Sequence, residues 1–178
     1  SLSPRFRLLC EIIIFGFVIG IWTQLIPTTL DIFFLNILLN IPILGWLITV
    51  VFCAGFVNSI NMADGANGLV SGIMTIAFGI FYAETGNFGY AAITITTALF
   101  TIFNLISGRL FLGDGGSCGL GAAALMGGLY LFKENIFSAS FLACLFAYPC
   151  LDFVATLFRR SLSGIKVSLP DNNHLHNR

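Results

Sequence analysis

The stretch IPILGWLITVVFCAGFVNSI, residues 41–60, decides the fold class. It holds no charged side chain, and it is as long as the roughly 20 residues a helix needs to cross about 30 Å of hydrocarbon. Comparable apolar runs recur near residues 8–26, 69–85, 88–107, 118–132 and 138–158, which makes six expected spans. Lipid offers backbone groups no water to bond, so each run is expected to be a helix, and the alternating pattern of a membrane barrel is absent. The run at 118–132 is short and rich in Gly and Ala, as suits a helix packed closely among others. Ile32 to Leu39 is apolar but too short to cross and reads as a re-entrant or interfacial piece. The expected fold is all-α: a polytopic transmembrane helical bundle of about six spans forming one membrane-embedded domain over residues 1–178. No internal repeat, low-complexity stretch or soluble domain interrupts it.

Composition agrees. The 178 residues are 57% hydrophobic and 9% charged, with a mean hydropathy of +0.96, whereas soluble domains carry about 25% charged residues. A soluble core of this size does not hold so much apolar surface. Eight Lys plus Arg balance eight Asp plus Glu, so the electrostatic footprint of a nucleic-acid binder is missing. Cys10, Cys53, Cys118, Cys144 and Cys150 lie in or beside apolar runs with no C-x-x-C pair, and read as small buried residues instead of a disulfide framework or zinc site. The chain starts at Ser1 and runs from Arg5 and Arg7 straight into apolar sequence without a small-residue cleavage site. It is therefore expected to be an internal fragment of a longer protein, truncated at both ends.

The joints sort by charge. With Ser1 to Arg7 in the cytoplasm, the joints at 61–68 and 108–117 and the tail from Arg159 share that side. Arg5, Arg7, Arg109, Arg159, Arg160, Lys166 and Arg178 then lie inside and Lys133 alone outside, in keeping with the positive-inside rule. The outer joints carry Asp31, Glu84 and Glu134, and turn formers such as Thr85-Gly86-Asn87.

Polar chemistry gathers on the cytoplasmic side in three clusters. In Asn58-Ser59-Ile60-Asn61-Met62-Ala63-Asp64-Gly65-Ala66-Asn67-Gly68-Leu69, Asn58, Asn61 and Asp64 recur every third residue, which places them on one helical face before Gly65 and Gly68 break the helix. In Phe111-Leu112-Gly113-Asp114-Gly115-Gly116-Ser117, glycines such as Gly113 and Gly115 allow backbone N–H groups close to a phosphate, and Asp114 is a natural Mg²⁺ ligand. No Lys follows these glycines and no strand precedes them, which excludes a Walker loop and a dinucleotide fingerprint. In Ser168-Leu169-Pro170-Asp171-Asn172-Asn173-His174-Leu175-His176-Asn177, an extended segment after Pro170 would present His174 and His176 on one face, with Asp171 able to orient an imidazole. A carboxylate in a span is costly, so Asp152 is either functional or paired with Arg159 or Arg160. Capping, a tight turn and an idle histidine tail are the bland alternatives for the three clusters; capping does not require three successive amide or carboxylate side chains, and the histidines gain weight from sharing a face with the other two clusters.

At these clusters the chain resembles the polyprenyl-phosphate N-acetylhexosamine-1-phosphate transferases of bacterial envelope synthesis. The runs N-x-x-N-x-x-D-G-x-N-G-L from Asn58, F-L-G-D-G-G-S from Phe111 and P-D-x-x-H-x-H from Pro170 occur in the family's order, with spans between them. Asn67 stands where several members carry Asp, and Asn177 where a third histidine would stand. An adjacent aspartate pair, which members carry just before a segment similar to Leu2-Ser3-Pro4-Arg5-Phe6-Arg7-Leu8, is absent from the chain.

The resemblance implies an enzyme, a Mg²⁺-dependent phosphotransferase with Mn²⁺ as the alternative ion. It would transfer an N-acetylhexosamine 1-phosphate from a UDP-sugar to a polyprenyl phosphate at the cytoplasmic face of the inner (plasma) membrane, releasing UMP. It further implies that Asp114 and Asn61 hold the metal, that Asp64 and Asn67 serve the nucleotide or organise the site with Asn58, Gly113 and Gly115, and that His174 and His176 contact the diphosphate. A homodimer is left open. A transporter would place ionisable residues and broken helices near mid-membrane, yet Glu11 and Asp152 lie toward span ends and the polar clusters sit at joints. Expressed as it stands, the fragment is expected to insert in the membrane but to turn over no substrate.

The charge pattern gives a test of orientation. A cysteine introduced at position 115 should stay unreactive toward a thiol probe confined to the outside of intact cells, and labelling there would reverse the topology.

Overall fold

The computed structural model describes residues 3–30, 32–108 and 110–162, all in helices and their connections. Helix α1, Pro4–Ile21, opens in a way its sequence dictates: the Ser3 hydroxyl accepts the Phe6 backbone N–H at 3.3 Å, and Pro4 takes a first-turn position where its missing N–H costs nothing. A short 3₁₀ turn, Thr23–Leu25, and helix α2, Phe33–Leu39, lead to α3, Pro42–Ala63. Then come α4, Leu69–Thr85, and α5, Phe88–Ser107, each ending on a left-handed glycine, Gly86 and Gly108. Helix α6, Gly113–Lys133, is followed by α7, Ala139–Leu145, whose Ser138 cap accepts the Phe141 N–H at 3.1 Å, and by α8, Ala147–Leu162.

Helix α3 is the axis of the bundle, with α6, α1, α8 and α2 packed around it, while α4 bridges α5 and α6. Small residues let α6 lie close to its neighbours: a Cβ on Gly121 would meet Ile60 of α3 at 3.3 Å, and one on Gly127 would meet Phe81 of α4 at 3.3 Å. Around that second contact Phe78, Phe81, Tyr90 and Phe137 form a ring cluster, with Phe81 edge-on to Tyr90 at 5.4 Å. Helix α5 turns Ile95, Leu99, Ile102, Phe103 and Ile106 outward, as a lipid-facing helix does.

All six apolar runs are helical, but the span count is smaller than six by length and composition. Helices α3, α5 and α6 are long and apolar enough to cross a membrane, and α7 with α8 makes a fourth crossing if the two, bent by 74°, are one broken span. Helix α4 stops at 17 residues, and α1 carries Arg5, Arg7 and Glu11 within its 18. The break inside the 138–158 run has a local cause. Pro149 is tolerated only in a first turn, where no backbone donor is needed, so α8 starts anew just before it. Phe146 at the break packs edge-on against Phe56 of α3, ring centres 5.0 Å apart. The short run at 32–39 is the separate helix α2, as its length required.

The α2 to α3 corner is the tightest in the fold. A Cβ on Gly45 would lie 2.2 Å from the Leu39 carbonyl oxygen, which is backbone and does not swing away. Gly45→Ala should therefore lower stability by about 1–3 kcal/mol, read as a fall in the thermal unfolding midpoint in detergent; an unchanged midpoint would contradict this packing.

Candidate functional site

The polar residues of α1, α3 and α6 meet at one end of the bundle. Asn58 and Asn61 lie on the last turns of α3, and Asp64 forms its C-cap, so the three-residue spacing seen in the sequence does put them on one side. The chain then turns through Gly68, whose φ of +73° is available to glycine, into α4. Asp114 arrives from α6. The glycine-rich stretch around it is not the loop expected for 108–117: Gly113, at φ +66°, admits the chain into α6, and Asp114-Gly115-Gly116-Ser117 is that helix's first turn. The physical reason is favourable on both sides, since a carboxylate in a first turn faces the positive end of the helix dipole.

Arg7 of α1 ties the elements together. Its Nη1 lies 3.2 Å from Asp114 Oδ1, its Nη2 donates to Asn58 Oδ1 at 3.2 Å, and its Nε lies 3.8 Å from Glu11 Oε1 one turn along α1. Asn58 Nδ2 donates in turn to Glu11 Oε2 and to the Ala54 carbonyl. Asn61 satisfies all its neighbours with its amide oxygen toward Arg7, at 3.0 and 3.2 Å from the two terminal nitrogens, and its amide nitrogen donating to Asp114 Oδ1 at 3.3 Å and Ser117 Oγ at 2.6 Å. Ser117 Oγ also donates to the Gly113 carbonyl at 2.8 Å.

Asp64 is half-buried, and burial pushes its carboxyl up to about 6; the Gly113 N–H it receives pulls the other way and the nearby charge of Asp114 adds to the rise. Two carboxylates close enough to feel each other, with Arg7 as the neighbouring cation, set opposite charges side by side where α3 ends and α6 begins. Among the described residues no three His, Cys, Asp or Glu side chains converge as a metal group. The donors present are the carboxylates of Asp114 and Asp64 and the amide oxygen of Asn61. They are all hard oxygens, and Mg²⁺ is commonly held by one or two carboxylates completed by water and substrate phosphates, so the set fits that ion.

The loops on either side of the site share one clamp that the sequence did not reveal. Asn104, buried on α5, accepts the Gly68 backbone N–H and donates to the Leu110 carbonyl, joining the turn after α3 to the segment before α6. Asn67 is exposed, with its amide nitrogen beside the Gly108 turn. Gly115 is open, with nothing within 4 Å of where a Cβ would stand. His174 and His176 lie outside the described residues, as do Arg109, Lys166 and Arg178. Arg159 and Arg160 end α8, which climbs α3 in the same sense, because Phe146 meets Phe56 and Cys150 then meets Ser59 at 3.9 Å. Lys133 stands with Gln24 and Glu134 at the end of α6 remote from Asp114.

Farther along the bundle, between α2, α3, α6 and the α7–α8 bend, lies an apolar cavity of about 650 Å³. Its wall runs from Phe56 and Cys150, the lining residues nearest the polar end, to Pro27 and Phe132, and no residue of the Arg7 cluster lines it.

The family described as Glycosyl transferase family 4 matches over residues 1–132, most of the chain and all of the Arg7 cluster. The chain belongs to glycosyl transferase family 4. It is similar to an undecaprenyl-phosphate alpha-N-acetylglucosaminyl 1-phosphate transferase of Yersinia pestis, 29% identical over 145 residues, covering 74% of this chain and 40% of the relative. It is also similar to a phospho-N-acetylmuramoyl-pentapeptide-transferase of a Synechococcus strain, 31% identical over 144 residues, covering 78% of this chain and 41% of the relative. The chain thus spans about two-fifths of these family 4 relatives' length. No solved structure matches it.

The raised carboxyl of Asp64 has a measurable sign. The folded state holds the Asp64 proton above the ordinary value of 3.8, so this residue's contribution to stability is present below that value and is lost as pH rises through about 6. In metal-free protein the thermal midpoint should fall across that window, and Asp64→Asn should flatten the fall. An equal slope in both proteins would show that Asp64 titrates as an ordinary carboxylate.

Proposed function

We propose that this chain is the core of a membrane transferase that moves an N-acetylhexosamine 1-phosphate from a UDP-sugar to a polyprenyl phosphate at the cytoplasmic face of the inner membrane. One observation carries the reading: a compact set of carboxylates, amides and one arginine, drawn from α1, α3 and α6, sits at one end of the bundle, and the further lengths of α3 and α6 wall an apolar cavity. Such a place suits a reaction between a soluble, highly anionic nucleotide sugar and a lipid anchored in the bilayer. The names of the relatives, which include an undecaprenyl-phosphate substrate, support the lipid acceptor.

In this reaction an oxygen of the lipid phosphate attacks the sugar-bearing phosphorus, the bond from that phosphorus to the bridging oxygen breaks, and UMP leaves with the electron pair. Phosphoryl transfer asks chiefly for positioning and for neutralised charge. Asp114 and Asn61, with Asp64 beside them, would hold Mg²⁺ or Mn²⁺, which when bound supplies positive charge at the diphosphate. Arg7 adds a cation at the same end, and the N-terminal turn of α6 aims its backbone N–H groups there. Asn58 and Glu11 hold Arg7 in place, while Asn104 sets the distance between the two loops. The apolar wall from Phe56 to Phe132 offers the prenyl chain a path along the bundle. On the resemblance, His174 and His176 contact the diphosphate. The complete reaction belongs to the full-length enzyme, and the fragment by itself is expected to be inactive.

The test is UMP release by the full-length enzyme supplied with UDP-N-acetylglucosamine, Mg²⁺ and a polyprenyl phosphate. Asp114→Asn should lower turnover by about a hundredfold or more, the scale set by removing a charge-stabilising group from an active site, with the amount of folded protein unchanged. Near-normal Mg²⁺-dependent turnover in that variant would remove Asp114 from the site.

A further inference from the structure

We infer that Arg7 is the built-in counter-cation of the metal site: its guanidinium holds Asp114 and Asn61 in the metal-free protein, and a divalent cation binds by displacing it from them. This rests on the metal assignment proposed above and adds to it a competitor within the chain.

The guanidinium has two sets of partners. One set is Asp114, 3.2 Å from Nη1, and the Asn61 amide oxygen, at 3.0 and 3.2 Å from the terminal nitrogens. These are the two side chains assigned to the cation. The other set is Glu11, on the arginine's own helix, and Asn58, at 3.8 and 3.2 Å. Glu11 is itself fixed by the Asn58 amide and by the Cys118 thiol at 3.9 Å, so the second set stays assembled when the first is given up. The displaced arginine therefore keeps the Asn58 hydrogen bond and the Glu11 ion pair, although its buried Nε has no hydrogen-bond acceptor.

Two further features favour exchange over coexistence. The Asp114 side chain is 59% exposed whereas that of Arg7 is 23% exposed, so the carboxylate is open to an arriving ion on the side away from the arginine. With the Asn61 amide assigned from its hydrogen bonds, its nitrogen faces Asp114 and its oxygen faces Arg7, the reverse of what a ligand needs. Contact between the Asn61 oxygen and a cation on Asp114 requires the amide to turn over, and releasing Arg7 removes the bonds that hold it. A divalent ion and a guanidinium on the same carboxylate oxygen would also repel each other at close range.

The experiment measures Mn²⁺ alone, by electron paramagnetic resonance of the free ion, binding to purified full-length enzyme without substrate. Arg7→Gln should bind Mn²⁺ about tenfold more tightly than the wild type, the order expected for removing one positive charge near a divalent site in a water-like dielectric. Arg7→Lys, which keeps the charge, should stay within about threefold of the wild type on the same electrostatic grounds. Equal or weaker binding by Arg7→Gln overturns the inference, as does an equal tightening in Arg7→Lys, which would trace the effect to packing and not to charge. Asp114→Asn should abolish the site; if it binds Mn²⁺ like the wild type, the metal assignment itself fails and the inference with it. A measurement on unmutated protein guards against misfolding: phenylglyoxal modification of Arg7, followed by mass spectrometry, should accelerate when Mn²⁺ is added. Unchanged or slower modification would overturn the displacement.

Discussion

A guanidinium largely withdrawn from water must find acceptors, and Arg7 finds them on three helices at once: Glu11 on α1, Asn58 and Asn61 on α3, and Asp114 on α6. An uncompensated charge in such a place is among the costlier defects a protein can carry. The approach of α1 and α6 to the end of α3 is therefore tied to one side chain. Ser117 and the Gly113 backbone extend that network into the first turn of α6. The polar end of the bundle is a connected cluster and not a collection of helix caps.

Below that cluster the bundle is governed by apolar contact and by how closely helices approach. Gly121 and Gly127 bring α6 against α3 and α4, and Gly45 does the same for α2 and α3. The bend before α8 keeps its helix from closing over the neighbouring groove, and the 650 Å³ apolar cavity lies there. The polar end and the apolar cavity thus share helices, α3 and α6, whose ends hold the charged and amide side chains and whose middle lengths are mostly apolar.

Much of this was legible in the residues. The three-residue spacing of Asn58, Asn61 and Asp64 survived into the structure because it falls on the last turns of a continuous helix, where spacing fixes direction. Gly68 was legible as a breaker because only its left-handed backbone lets α4 start where it does. Asp114 was legible as a residue but not in its setting, since a run of glycines reads as a loop although an acidic first turn stabilises a helix there. Arg7 and Glu11 were visible as charges near a span end, yet their meeting with α6 depends on long-range packing that no spacing encodes. Asn104 was hidden by the apolar run around it; a lone amide one turn from a helix end was the signal. The six-span count takes every apolar run as one crossing, whereas by length and composition three helices among the described residues qualify, or four with the bent α7–α8 pair, since α1 carries charges and α4 has 17 residues.

The central claim is that the ends of α1, α3 and α6 form one cation-dependent phosphoryl-transfer site. Crystals of the full-length enzyme grown with Mn²⁺ and measured for anomalous scattering test it directly. The account predicts a single strong peak with an Asp114 carboxylate oxygen about 2.1 Å away, as for a hard octahedral cation, and the Asn61 amide on the same side. A peak at the opposite end of the bundle, beside Glu84 and Glu134, with none at Asp114, would contradict it.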